Sequence, residues 1–329
     1  MNQKYNITVV VATYNPKWEK LKATLSSIME QQGIKLQIIV SDDGSNDTLC
    51  EETLSFFKER RFKDYKLIYN EQHEGTVINV YHGVTAADSE YIKLISPGDL
   101  LYDKTVLSKW LMFTKMHNAA ITFGDAVFYN RKNNKINIIR HVRNPINVSI
   151  YKKQVAYLDR VINCIFVNDF LLGTSLLVKK STFLYYLDFL VHRVIYTEDC
   201  FLKLAILDDC NLLYYPVTVI WYEYADGGIS TSGDAFWKKQ IQKDIITVDK
   251  ICIEYWANRD KKIRSWLLED LEYRKIELYT NKSERVLRYL KHPSWLYWKL
   301  HQCLFKTYSP TDVNKTFLQL CFDCDSKTV

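Results

Sequence analysis

The stretch LQIIVSDDGSNDT, Leu36–Thr48, decides the fold of this chain. It begins as a run of apolar and β-branched residues, typical of a buried strand, and ends abruptly in Ser41, Asp42, Asp43 and Gly44. A strand buried on both faces belongs to a parallel sheet, and such sheets bind ligands beyond the carboxyl ends of their strands. We therefore expect both carboxylates at a ligand-binding edge. Asp, Asn, Gly and Ser also form ordinary turns, so this stretch alone leaves both interpretations open.

An earlier apolar run, Ile7–Ala12, predicts a first strand that is closed by Thr13, Tyr14 and Asn15. Asn15 is a good N-cap and the proline after it a good first helical residue, so a helix should follow. Strand, helix and strand then form a right-handed crossover between parallel strands. The two strand ends, at Tyr14 and Asp42, must face the same edge of the sheet.

The same alternation continues along the chain. It predicts a helix over residues 47–60, a strand over 66–69, a helix over about 77–87 and a strand over 91–95. This order predicts a doubly wound α/β domain. The last of these strands runs into a turn that ends on Asp99, so Asp42, Asp43 and Asp99 should lie round one crevice.

The sequence lacks both common phosphate-binding loops, GxGxxG after the first strand and GxxxxGK[ST] anywhere. It contains only 10 glycines, so a glycine-rich cradle is not available. These absences disfavour dehydrogenases and P-loop enzymes. A divalent metal ion held by Asp99 is the more natural ligand for a diphosphate.

Composition narrows the class of protein further. With 47% hydrophobic and 25% charged residues in 329, the chain is an ordinary globular protein. Lys and Arg (44) exceed Asp and Glu (38) only modestly, which favours an anionic partner but indicates no nucleic acid. The scattered cysteines, the N-terminus without a signal-peptide pattern and the lack of a long apolar run predict a cytoplasmic protein.

Three motifs in order carry a family resemblance. VVVATYN (Val9–Asn15), IIVSDDGSND (Ile38–Asp47) and the segment from EGTVIN to EYIKLISPGD (Glu74–Asp99) together resemble family 2 glycosyltransferases of the GT-A fold. The resemblance covers roughly the first 230 residues. It implies a doubly wound mixed sheet that binds a nucleotide sugar, with UDP-sugar as the expected donor.

The resemblance also implies roles for individual residues. The nucleotide would contact Thr13, Tyr14, Asn15, Asp42, Asp43, Gly44 and Asp99. Tyr14 would pack on or near the uracil, while Asp42 or Asp43 accepts from its N–H. The family's DxD or DxDD motif reads SPGD here, so Asp99 would be the sole protein carboxylate on Mn²⁺ or Mg²⁺.

A later motif, TED at Thr197–Asp199, resembles the place where the family positions its catalytic base. The resemblance assigns the base to Asp199 and a supporting role to Glu198. Acids in the first turn of a helix also favour the helix dipole, which is the alternative explanation. One base suffices for an inverting transfer, because the metal stabilises the departing diphosphate, whereas a glycosidase needs paired carboxylates.

We therefore predict an inverting glycosyltransferase that extends a lipid-linked O-antigen or capsule repeat unit, with a polyprenyl-diphosphate-linked glycan as acceptor. A sugar nucleotidyltransferase is disfavoured because VVVATYNPKW is not a glycine-rich basic loop. A catalytically impaired binder is suggested by SPGD, although Asp99 and Asp199 are both retained.

The chain changes character after residue 234, since no glycine follows and helical patterns prevail. We predict a glycosyltransferase domain over 1–234 and a helical C-terminal region over 235–329. The loop Ala225–Asp234 is either a mobile lid or a plain surface loop. The basic, aromatic stretch Arg285–Lys306 is either a packed helix or a peripheral contact with the inner face of the cytoplasmic membrane.

Overall fold

A computed structural model of the chain describes residues 4–133, 135–140, 144–152, 155–167, 169–224, 235–256, 258–277 and 308–323, with a few single positions between 287 and 304. These residues form a mixed sheet covered by helices. The strands are β1 (Ile7–Thr13), β2 (Leu36–Asp42), β3 (Tyr65–Tyr69), β4 (Tyr91–Ile95), β5 (Leu100–Leu101), β6 (Ile121–Lys132), β7 (Lys135–Ile138), β8 (Leu176–Lys179) and β9 (Leu212–Glu223).

The helices fall between and after these strands. They are α1 (Trp18–Met29), α2 (Cys50–Glu59), α3 (Thr76–Thr85), α4 (Val106–Met116), α5 (Tyr157–Ile162), α6 (Lys180–Leu190), α7 (Phe201–Leu207), α8 (Ala235–Tyr255), α9 (Lys261–Glu277) and α10 (Thr316–Phe322). Short 3₁₀ turns occupy Val148–Tyr151, Gly173–Ser175 and Glu198–Cys200, and a π-helical turn extends α5 over Asn163–Val167.

The strand order is β3-β2-β1-β4-β8-β6-β9-β5, with β7 paired to β6. Strands β3, β2, β1 and β4 are mutually parallel, whereas β8 runs antiparallel to both of its neighbours. The predicted doubly wound mixed sheet is therefore confirmed. Register pairs Thr13 with Asp42 and Val11 with Ile95, so the carboxyl ends of three strands meet at one edge.

Both faces of the central strands are buried, because successive side chains of a strand point to opposite faces. Val10 and Ile39 belong to one apolar cluster, which α3, α6, α7, α8 and α9 cover. Val9 and Ile38 belong to a second cluster, which α1, α2 and α4 cover. This double burial explains why β1 and β2 are continuous apolar runs.

The predicted N-cap at Asn15 is wrong. Helix α1 begins at Trp18, and Lys17 precedes it without a side-chain capping bond. Asn15 has φ of 44°, and its backbone N–H donates to Ser45 Oγ at 2.6 Å. Its side-chain oxygen accepts from the N–H of Asn46 at 3.0 Å, so Asn15 joins the two loops at the sheet edge.

The described C-terminal helices pack against the sheet domain. Val248 and Ile251 of α8 and Leu267 of α9 belong to the first apolar cluster. Leu318 of α10 is buried in a third cluster with Trp221 of β9. The boundary at residue 234 stays a prediction, the loop 225–234 lies outside the described residues, and so does most of 285–306. None of the helices in the described ranges combines the length and the hydrophobicity that a membrane-spanning segment requires.

Gly83 allows α3 to lie close to the first two strands. A Cβ at this position would lie 2.6 Å from Val10 Cγ1 and 3.3 Å from the Cβ of Ser41. Both contacts are with side chains of the central strands, so the helix would have to move. The absence of a side chain at residue 83 therefore helps to set the distance between α3 and the strand ends.

We predict that Gly83→Ala lowers the free energy of unfolding by about 1–2 kcal/mol. Overpacking against Val10 should outweigh the gain of about 1 kcal/mol in helix propensity. Urea unfolding measures the change, and Thr85→Ala, an exposed position on the same helix, should stay within about 0.5 kcal/mol of wild type. A stabilised Gly83→Ala variant would contradict the close packing.

Candidate active site

Asn79 of α3 fixes the ends of β1 and β2. It is buried, and its Nδ2 donates to the backbone oxygens of Thr13 (3.3 Å) and Ser41 (2.9 Å). The hydroxyl of Ser41 donates in turn to Asn79 Oδ1 at 2.7 Å. These bonds occupy backbone groups at the sheet edge, where strand pairing ends.

Asp42 is fully buried and accepts three hydrogen bonds from the chain itself. Its Oδ2 accepts from the hydroxyls of Thr13 (2.8 Å) and Ser45 (2.6 Å), and its Oδ1 accepts from the Ser45 N–H (2.8 Å). Asp42 therefore ties the end of β1 to the loop after β2. Thr13 also lies inside the fold, with 3% of its surface exposed.

Asp43 faces the other way and holds the segment that leads into α3. It accepts from the backbone N–H groups of Glu74 (3.0 Å) and Gly75 (2.9 Å), and it contacts His73 Nδ1 at 2.8 Å. Gly44 follows with φ of +71°, where a Cβ would lie 2.5 Å from the carbonyl carbon of Gln72. Only glycine fits this close crossing of two loops.

Tyr14 and His73 form an accessible aromatic surface beside Asp43. Their rings stack with centroids 4.0 Å apart and an angle of 22° between their planes. Tyr14 is 47% exposed, and the His73 side chain keeps a third of its surface accessible. The ring of Tyr196 lies 6.2 Å from that of His73. Three aromatic rings thus border the edge of the sheet.

Asp99 closes the turn after β4 and is 6% exposed. The backbone N–H of Glu223 donates to its Oδ1 at 3.0 Å. Burial raises the pKa of Asp99 to about 7, although the Glu223 N–H, the nearby Thr174 hydroxyl and the Lys93 charge lower it. The local structure therefore compensates the negative charge of Asp99 only in part.

Lys93 links β4 to the turn Gly173–Ser175. It is fully buried, and its ammonium donates to the backbone oxygens of Leu94 (2.7 Å) and Thr174. Burial lowers its pKa to about 7. The side chain of Lys93 holds the 173–175 turn next to Asp99.

That turn also borders the predicted base. A Cβ on Gly173 would lie 3.2 Å from the Cβ of Asp199 and 3.5 Å from Glu198 Oε1. Glu198 and Asp199 are in a 3₁₀ turn before α7, and both remain partly accessible. Burial raises the pKa of both carboxyl groups, and the charge of Asp199 raises that of Glu198 further.

The acidic turns are connected through short contacts. Asp99 lies beside Thr174, and the neighbouring Gly173 contacts Asp199. The backbone oxygen of Ile195, three residues before Glu198, accepts a hydrogen bond from the Val77 N–H at 3.0 Å. Val77 is in the first turn of α3, directly after the segment that Asp43 holds. The structure therefore places the predicted residues at one edge of the sheet, with Asp42 as an internal support.

Sequence reasoning missed Lys93, Thr174 and Glu223 as parts of this site. A lysine inside the apolar strand EYIKLI was a usable indication, because a buried charge needs partners. Thr174 and Glu223 carried no such pattern. They reach the site through long-range packing.

The residues fit a divalent cation, although no group of three His, Cys, Asp or Glu side chains with metal-site geometry occurs in the described ranges. Asp99 is a buried carboxylate with incomplete charge compensation. Mg²⁺ usually keeps several waters and needs only one or two carboxylates when phosphate oxygens complete its shell. Asp99 is placed to be such a carboxylate.

A doubly wound mixed sheet with an aromatic surface and acids at the carboxyl ends of its strands is the arrangement that the resemblance to GT-A glycosyltransferases predicts. Residues 8–171, about half of the chain, match the model for glycosyl transferase family 2. The chain belongs to this family and is a glycosyltransferase.

Comparisons with known proteins agree with this class. The chain is 23% identical over 243 residues to the Escherichia coli UDP-Glc:alpha-D-GlcNAc-diphosphoundecaprenol beta-1,3-glucosyltransferase WfgD, covering 74% of this chain and 85% of that protein. It superposes on S. aureus TarS 1–349 in complex with UDP-GlcNAc with TM-score 0.57 and 15% identity, covering 92% and 82% of the two chains. The mannosyltransferase PcManGT from Pyrobaculum calidifontis in complex with GDP-Man and Mn²⁺ gives TM-score 0.53 and 13% identity, covering 92% and 86%.

We predict that Asp43→Asn lowers the free energy of unfolding by about 1–3 kcal/mol. The amide would turn a donor toward buried N–H groups that now donate to Asp43. Thermal or urea unfolding measures the loss, with the exposed Asp47→Asn in the same loop as the matched control. Equal stability of the two variants would show that the Asp43 carboxylate does not hold the loop.

Proposed function

We propose that this glycosyltransferase transfers a sugar from a UDP-sugar to a lipid-linked glycan, with inversion at the anomeric carbon. The observation that carries the proposal is the contact between the Asp99 and Asp199 turns through Gly173 and Thr174. It brings a carboxylate suited to a divalent cation beside the diphosphate close to a carboxylate suited to the acceptor hydroxyl.

The nucleoside would bind over Tyr14 and His73. Their accessible, stacked rings offer a flat face for a uracil, and aromatic pairs of this kind favour offset stacking. Asp43 is the better candidate than Asp42 for the uracil N–H. Asp43 contacts His73 of this surface and keeps 2% of its own surface exposed, whereas Asp42 is wholly enclosed.

Asp99 would hold a divalent cation, Mn²⁺ or Mg²⁺, next to the donor diphosphate. When bound, such a cation stabilises the negative charge that grows on the departing diphosphate. The complex of PcManGT with GDP-Man and Mn²⁺ supports metal use in proteins of this fold. The TarS complexes support a UDP-linked donor.

Asp199 would remove the proton from the acceptor hydroxyl as that oxygen attacks the anomeric carbon. A raised pKa suits this task, because a base is most effective when its pKa approaches the working pH. Glu198 is next to it, and its own pKa is raised further by the charge of Asp199. Glu198 would therefore support Asp199, and one base acting opposite the leaving group gives inversion.

The acceptor class rests on the relative WfgD, whose name specifies a diphosphoundecaprenol-linked sugar. A lipid-linked acceptor would bring the enzyme to a membrane surface on the cytoplasmic side. The basic, aromatic stretch Arg285–Lys306 suits such peripheral contact, since apolar burial and attraction to anionic lipid act together.

Activity against a panel of donors tests the proposal. We predict UDP release from at least one UDP-sugar in the presence of a polyprenyl-diphosphate-linked acceptor and Mn²⁺, and loss of that release with EDTA. GDP-mannose serves as the donor control. UDP binding without transfer under every condition would favour a catalytically impaired binder, and pyrophosphate-dependent formation of a nucleotide sugar would favour a nucleotidyltransferase.

We predict that Asp199→Asn lowers the transfer rate by about 10²–10⁴-fold, the usual contribution of a general base, while UDP affinity stays near wild type. Single-turnover transfer and titration calorimetry with UDP measure the two effects. Asp209→Asn, an exposed acid after α7, is the matched control. An unchanged rate would remove Asp199 from the mechanism.

The pH profile gives an independent check on Asp199. The base acts in its deprotonated form, so the rate should fall as pH drops through its pKa. Because burial raises that pKa, the acid limb of kcat should lie above the ordinary aspartate value of about 4. A limb at or below that value would contradict a raised pKa for Asp199.

A further inference from the structure

The side chain of Glu223, on β9, occupies the space where a Cβ of residue 98 would lie, in the turn after β4. The φ of Gly98 is +101°, and a Cβ built on it would clash with the carboxylate oxygen Oε2 of Glu223. Strands β5 and β9 pair antiparallel with Leu100 opposite Trp221 and Leu101 opposite Ile220. Continuing this register places residue 98 opposite residue 223.

Glu223 is therefore held against the turn that carries Asp99. Its backbone N–H donates to Asp99 Oδ1, and its carboxylate is close enough to raise the pKa of Asp99. The turn is fixed on its other side, because the buried Tyr129 hydroxyl donates to the Gly98 oxygen at 2.5 Å. The two carboxylates of Asp99 and Glu223 are thus neighbours on a rigid support.

Lys20 of α1 is the cation that now faces Glu223. Its ammonium lies 2.5 Å from Glu223 Oε2, and the two side chains are 31% and 12% exposed. An ammonium there partly balances two adjacent acids. A divalent cation that bound both acids would compete with Lys20 for the same oxygen, since a carboxylate oxygen turned to one cation is less available to another.

We propose that Glu223 is a second carboxylate ligand of the divalent cation held by Asp99, contributed by β9 because the SPGD turn has a single acid. The proposal rests on the metal-assisted function above. Two carboxylates plus the oxygens of a diphosphate and water complete an ordinary Mg²⁺ or Mn²⁺ shell. Glycine suits residue 98 because its φ is +101° and because a Cβ there would displace the Glu223 carboxylate.

Mn²⁺ binding to the full chain tests this role without any turnover. The EPR signal of free Mn²⁺ measures that binding in the presence of saturating UDP. Glu223→Gln should weaken Mn²⁺ affinity on the order of 10-fold or more, since even outer-shell partners of metal sites change affinity by about 10–100-fold. Lys20→Met should tighten it, because the competing ammonium is gone. Glu19→Gln, an exposed acid on the same helix, should leave it unchanged.

The opposite changes in Mn²⁺ affinity expected for Glu223→Gln and Lys20→Met distinguish a metal ligand from a structural ion pair. If Glu223 only pairs with Lys20, both variants should lower the melting temperature alike and leave Mn²⁺ affinity alone, which would overturn the proposal. Loss of Mn²⁺ binding in Asp99→Asn but not in Glu223→Gln would also overturn the proposal. The proposed function would remain intact in that case. If neither Asp99→Asn nor EDTA alters UDP binding, the metal-assisted function fails together with this proposal.

Discussion

The site depends on the opposite orientation of two adjacent carboxylates, Asp42 and Asp43. Successive residues at a strand end point to opposite sides, so these two cannot serve the same group. Asp42 turns inward and joins β1 to the loop after β2, whereas Asp43 holds the segment that leads into α3. Three loops are thereby fixed around the aromatic pair of Tyr14 and His73. Removing either charge would therefore free a loop that borders the site.

The sequence predicted the central sheet well because its information is local. Continuous apolar runs and helical spacing gave β1, β2 and β4 within one or two residues, and parallel pairing then placed Asp42 and Asp99 at one edge. The predicted N-cap at Asn15 was wrong because local rules do not account for long-range partners. Asn15 bonds to a loop about thirty residues away, and this partner competes with the helix terminus that local rules favour.

Long-range contacts explain what the sequence could not show. Glu223 meets the Asp99 turn through antiparallel pairing across more than a hundred residues, and no spacing rule connects the two positions. Lys93 contacts the backbone oxygen of Thr174, next to the glycine that borders Asp199, the proposed base. Family motifs describe residues near one another in sequence. They therefore identified Asp99 as isolated, whereas the fold gives it an acidic neighbour.

The position of Asp199, the proposed base, depends on the C-terminal helices as well. Lys203 lies one turn after Asp199 on α7, and its ammonium pairs with Asp249 of α8. Arg274 of α9 contacts Asp249 at 2.8 Å and Asp270 at 3.0 Å, and all three of these side chains are almost fully buried. Breaking one member of a buried ion network leaves an uncompensated charge, which is far more destabilising than losing a surface pair. Because Lys203 and Asp199 lie on one short helical segment, α8 and α9 help to support the proposed active site, although composition alone would separate them from it.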